Sequence, residues 1–280
     1  MSGAELASAS GALVAELSDT FLAHREGKIV VFEVYLDESG THHDSQIVGV
    51  GAAWADKSEW TKWTRDWNKA KWPIRVHHSV DCHNRVGEWD GWCREQRDNY
   101  VRRILPVIER HEIRGVISAV DKGEITRVLK EKHNMVIAEN LMVRGWYFIC
   151  LVWAIRSAWE ALAREGVDNI AFVHEQNEFG HEAQEAFSVV QARMADSNAT
   201  FGIGSKAVYP PLQCADILAY EGNHQMRDFK RPLRKPLMAI DRTFKRFYFK
   251  KYDKTEVSEI VDFTAHYLNR ILAEFSKSGG

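Results

Sequence analysis

Short apolar runs that stop at an acidic residue are the feature that most limits the fold of this chain. Lys28 to Leu36 is largely β-branched and apolar, and Asp37-Glu38 closes it. Ile170 to His174 is a second such run, closed by Glu175. Runs of this length and composition predict strands. A third acid, Asp216, lies within Gln213-Cys214-Ala215-Asp216-Ile217-Leu218-Ala219-Tyr220, where the pattern predicts one face of a helix. A sheet that gathers strand ends can bring these distant carboxylates to one point. Carboxylate oxygens are the hard ligands that Mg²⁺ and Mn²⁺ prefer.

The remaining segments alternate between the two periods. Leu6, Leu13, Leu17 and Phe21 predict an amphipathic helix over residues 4–24, and Trp60, Trp63 and Trp67 predict another over Lys57 to Trp72. Gln46 to Trp54 reads as a strand and hairpin partner of the first. Val76 to Trp92 reads as an irregular loop rich in His, Asp, Asn, Gly and Trp. A helix from Glu95 to His111 and a strand from Ile113 to Val120 follow, ending at Asp121. One short and one long helix are expected between Lys122 and Glu165. Asp168 to His174 and Ala199 to Tyr209 are expected strands, with a helix at His181 to Ala195 between them. Pro210-Pro211 opens a helix through Met226, as proline permits in a first turn. Two more helices are expected at 236–250 and 255–275. The class is α/β, with a mixed sheet of about five strands.

Composition narrows the setting. The chain has 280 residues, 45% of them hydrophobic and 27% charged, which suits one sizeable folded core. The most apolar stretch, Met135 to Trp159, is broken by Glu139, Arg144 and Arg156. Its longest uncharged run, Gly145 to Ile155, is too short to span a bilayer and predicts a buried helix. Met1 to Leu17 lacks a basic region before an apolar core, and Cys82, Cys93, Cys150 and Cys214 form no CxxC pair. A cytoplasmic protein with reduced thiols and no membrane association is the expectation. The net charge of −2 is uneven: Arg227 to Lys254 holds eleven Lys/Arg against three Asp, so this segment is cationic and the rest acidic. An anionic partner, DNA or RNA, fits such a stripe.

Paired metal ions can activate water and stabilise the leaving oxygen in phosphodiester cleavage. Asp37, Glu175 and Asp216 are the candidate ligands, with Asp81 and Glu38 in reserve. The structural alternative is a turn at Asp37, a solvated Glu175 and a salt bridge at Asp216. His78 can orient water or contact a phosphate; as an alternative, the loop histidines only bind local backbone. A zinc site from His77, His78, Cys82, His83 and Cys93 matches no usual spacing. Lys206, expected on a strand, can steady a phosphate or be simply exposed. Asp121 fits a helix cap before Lys122-Gly123-Glu124. In the basic stripe, Lys245, Arg246, Lys250 and Lys251 interleave with Phe244, Phe247, Tyr248 and Phe249. They can neutralise phosphates and stack on bases, or form a solvated face with the rings turned inward.

Tyr35-Leu36-Asp37-Glu38-Ser39-Gly40 and Gln213 to Tyr220 resemble the opening and closing motifs of the family called domain of unknown function 3800. His77-His78-Ser79-Val80-Asp81 with Gly87-Glu88-Trp89 resembles its middle segment. The likeness covers about residues 30–225. It implies a ribonuclease H-like mixed sheet flanked by helices, with a metal site at Asp37 and Asp216 as the last acidic ligand. Glu175 matches an acidic position after a central strand, although Val173-His174-Glu175-Gln176 departs from the expected Asp. The organisation expected is an N-terminal helix over 1–28, the ribonuclease H-like domain over 29–226, and a basic helical extension over 227–280 packed on that domain. The expected function is a Mg²⁺- or Mn²⁺-dependent nuclease. The alternative is a nucleic-acid or partner binding protein with a degenerate acidic pocket.

Overall fold

The computed structural model describes residues 31–42, 44–133, 139–194 and 198–227, with Pro232 and Leu237 beyond them. The expected helix at 4–24 lies outside these residues. So does the basic extension with its helices, apart from Arg227, Pro232 and Leu237.

Five strands form one sheet: β1 (Phe32–Ser39), β2 (Ile47–Asp56), β3 (Arg114–Asp121), β4 (Asn169–Glu175) and β5 (Asn198–Gly204). Their order is β3-β2-β1-β4-β5, with β2 antiparallel to both its neighbours and β1, β4 and β5 parallel. The helices are α1 (Lys57–Lys71), α2 (Ser79–Asn84), α3 (Arg94–Arg110), α4 (Lys122–His133), α5 (Glu139–Ala163), α6 (Gly180–Gln191) and α7 (Leu212–Arg227). This is an α/β fold whose mixed five-stranded sheet is flanked by helices, as the apolar periods predicted. Among the described residues no helix is long and apolar enough to cross a membrane.

The period of two along each strand separates two cores. Val34, Leu36, Val48, Val50, Ala52 and Phe172 pack with α5 and α6 on one face. Tyr35, Ala53, Ala55, Ile117 and Val173 pack with α1, α3 and α7 on the other. α5 is buried nearly all round, with Tyr147, Leu151, Ala158 and Trp159 sealed from solvent, as its apolar composition predicts. On β2 the positions of this second face after Ile47 are small: Gly49, Gly51, Ala53 and Ala55. A Cβ at Gly51 would come within 2.6 Å of Ala219 N and 2.7 Å of Ala215 O. The missing side chain lets α7 rest directly on the strand.

Three expectations need correction. Asp37 and Glu38 do not follow β1 but lie inside it, because β2 continues the ladder through Asp37↔Gly51, Glu38↔Val50 and Ser39↔Gly49. The segment Val76 to Trp92 is not irregular throughout, since it contains α2 and a 3₁₀ turn at Gly87–Trp89. Arg85, in the left-handed region at φ 58°, ends α2 and donates its N–H to Asp81 O. Lys206 is not on a strand: β5 stops at Gly204, and a turn closed by Tyr209 N donating to Ser205 O at 2.8 Å carries the lysine.

Candidate metal centre

The pairing of β1 with β4 positions the first two acids. Their parallel register ends at Tyr35↔Val173 and Leu36↔His174, so Asp37 and Glu175 follow side by side. Tyr35 and Val173 face α7, and the period of two puts Asp37 and Glu175 on that face as well. Asp216 comes from α7, held against the sheet at Gly51. The three carboxylates meet around one ammonium. Lys206 Nζ lies 2.9 Å from Asp37 Oδ2, 2.8 Å from Glu175 Oε2 and 2.9 Å from Asp216 Oδ1. Lys206 is only 4% exposed, so it is no surface lysine.

Gln213, fully buried, ties this arrangement together. Its Oε1 accepts from Trp67 Nε1 and from His77 N, each at 2.9 Å, and its Nε2 donates to Lys206 O at 2.9 Å. One side chain thus fixes α1, the His77–Ser79 segment and the Lys206 turn. Ser79 N in turn donates to Asp216 Oδ2 at 2.7 Å. His77 stands between Tyr100 Oη at 2.9 Å and Ser79 Oγ at 3.2 Å, and burial pushes its imidazole down to about 4. Sequence reasoning missed Gln213. The available signal was an amide directly after Pro-Pro-Leu on an otherwise apolar helix face.

Among the described residues, the group whose ligand atoms converge is Asp37, Glu38 and Glu175, one oxygen each within 4.8 Å of the others. Asp216 is joined to them through Lys206, and its two oxygens are already engaged by Lys206 and Ser79. Burial opposes its charge, but Lys206 and the nearby histidines outweigh that and hold it below the usual carboxylate range. Lys206 is held the other way: burial disfavours its charge, and Asp216, Asp37 and Glu175 together keep it well above an ordinary amine. Burial, together with Glu175 and Asp216, raises Asp37 well above the usual range despite Lys206. Burial and the neighbouring Asp37 push Glu38 up to about 8.

These features fit a divalent cation. Three carboxylates meet one ammonium and Glu38 lies beside them, so negative charge is in excess and a cation would relieve it. Glu38 Oε2 is buried without a hydrogen bond, and Asp37 Oδ2 meets Lys206 only as an ion pair. The donor set is hard oxygen throughout.

The other expected residues lie at the rim or apart. His78 is half-exposed, 4.0 Å from Asp216 Oδ1 and 3.9 Å from Asp81 Oδ1. Asp81 points to this histidine and does not enter the converging group. The zinc cluster is not assembled among the described residues: His77 is hydrogen-bonded, His83 lies tilted against the ring of Tyr220, and all four cysteines are free. Asp121 Oδ1 accepts from Gly123 N at 2.9 Å, the local cap expected of it. Lys245, Arg246, Lys250 and Lys251 lie outside the described residues.

No family model and no curated protein matches this chain. Among solved structures it is similar to a chain of the PCNA:RNase HII complex from Archaeoglobus fulgidus, at 12% identity and a TM-score of 0.37, covering 89% of this chain and 90% of that one. It is also similar to Bst-RNase HIII in complex with Mn²⁺, at 16% identity and a TM-score of 0.36, covering 71% of this chain. The match spans about half of the Bst-RNase HIII chain, 53% of its length. Likenesses at this level say nothing of activity.

Proposed function

We propose that this chain is a divalent-metal-dependent nuclease that hydrolyses phosphodiester bonds in DNA or RNA. One observation carries the reading: Asp37, Glu38 and Glu175 converge, largely buried and undercompensated in charge, where β1 and β4 end. Asp37, Glu38 and Glu175 would hold Mg²⁺ or Mn²⁺, which would supply positive charge for phosphate oxygens and acidify water. Lys206 adds a fixed cation beside the same oxygens. Asp216 orients that ammonium and, through Ser79 N, the rim of the site. His78, at the opening, is placed to donate to a phosphate oxygen or to the leaving group. No protein nucleophile is required.

Lys206 also favours a second reading. Its ammonium occupies the centre of Asp37, Glu175 and Asp216 and neutralises part of their charge without a metal. A nucleic-acid or partner binding protein with a degenerate pocket has this form. Calorimetry with Mn²⁺ and a cleavage assay on single- and double-stranded DNA and RNA separate the two. Micromolar Mn²⁺ binding and cleavage, both lost in Asp37→Asn, support the nuclease. Tight nucleic-acid binding with no Mn²⁺ heat and no cleavage supports the binding protein.

A further inference from the structure

Beside the acidic centre lies a cavity of about 370 Å³, walled by α2, α3 and α7. Val101, Leu105 and Ile217 give it apolar surface, Tyr220 adds a ring, and the Arg97–Asp98 pair and Glu221 add polar groups. Ser79 belongs to both places: it lines the cavity, and its N–H donates to Asp216 Oδ2 at 2.7 Å. On α7, Ile217 directly follows Asp216, and Tyr220 stands about 6 Å further along the axis. The cavity therefore lies within one helical turn of Asp216, which Lys206 joins to the candidate metal centre.

Its size falls at the low end of small-molecule sites, which run roughly 300–1,000 Å³. That suits one flat ring system and excludes a helix or a duplex. We propose that the cavity receives an unpaired nucleobase of the substrate strand while the adjoining phosphate lies at the acidic centre. The inference rests on the nuclease reading and adds its substrate class, a strand with one base turned out of its stack. Apolar walls and a ring accept the π-faces of any base, and the Arg97–Asp98 pair and Glu221 offer polar groups to a base edge.

The test uses the full chain with Mn²⁺ and a single-stranded oligonucleotide along which one abasic residue is walked. kcat/KM should fall about tenfold or more when the abasic residue lies at one position next to the cut, and little at distant positions. Val101→Trp and Leu105→Trp fill the cavity and should bring the ratio of intact to abasic substrate close to one. A uniform response along the strand, or a ratio that survives both substitutions, overturns the base site. A second measurement does not depend on those variants folding or on cleavage. Wild-type protein is titrated into 2-aminopurine riboside monophosphate and its fluorescence followed; saturable change supports the site, and none overturns it. If no oligonucleotide is cut yet the nucleotide binds, the nuclease reading fails and the base site stands.

Discussion

Lys206 sets the charge of the acidic centre, and its partners divide the acids into two kinds. Asp37 and Glu175 meet it while also converging with Glu38, whereas Asp216 spends both oxygens on Lys206 and Ser79. Substitutions should therefore differ in kind. Asp37→Asn removes a direct ligand and should lower Mn²⁺ affinity about 100-fold or more, while Asp216→Asn acts through Lys206 and should lower it about tenfold, with turnover reduced in both. Equal losses of Mn²⁺ heat in the two variants would show that Asp216 is itself a ligand. Glu38 gives a pH signature without metal. Its folded value, about 8, lies above its ordinary value of 4.5. Its contribution to stability is thus fully present below 4.5 and is lost as pH rises toward 8. Between those limits the slope is at most about 1.4 kcal/mol per pH unit. Urea unfolding from pH 5 to pH 8 in chelator should show wild type losing stability relative to Glu38→Gln; parallel curves would contradict this.

Elements carry the site through close approach. α7 brings Asp216 to the sheet only because Gly51 has no side chain there, and the atoms that a Cβ would strike are mainly backbone. Gly51→Ala should lift α7, cost about 1–3 kcal/mol in urea unfolding, and loosen the Asp216–Lys206 pair. Retention of full stability and turnover would mean that α7 shifts without consequence. This contact also explains what the sequence could reveal. Most of the described strands and longer helices were legible because their apolar periods are regular, and so was the meeting of Asp37 with Glu175, since each closes such a run; the short α2, with Ser79 to Asn84 mainly polar, was not. The length of β1 was not legible, because Asp37-Glu38-Ser39 has turn composition and is extended only by its partners Gly49 to Gly51. The burial of Lys206 was hidden for the same reason: its three carboxylate partners come from other segments. Gln213 bonds to groups far from it in sequence on two of its three contacts, which no local pattern displays.

At the scale of the whole molecule, charge is segregated. Arg227 to Lys254 is strongly basic, while the carboxylates gather in the body of the domain. If the stripe holds nucleic acid, affinity should fall steeply with salt as neutralised phosphates release counterions. Replacing Lys245, Arg246, Lys250 and Lys251 by Gln should reduce the salt slope by about four and leave Mn²⁺ affinity nearly unchanged. An unaltered slope would show that these four residues contact no phosphate. The sheet order has a different consequence, one that concerns how the protein is made. β1 is the first of the described strands to leave the ribosome, yet it ends in the middle of the sheet. β2 covers one of its edges at once, but the other waits until β4 has been synthesised. During that interval a strand carrying Phe32, Val34, Tyr35 and Leu36 presents an open hydrogen-bonding edge. The acids at its end, charged while still in water, are then the natural guard against association with another chain. The residues proposed for catalysis would protect the nascent protein before any site exists.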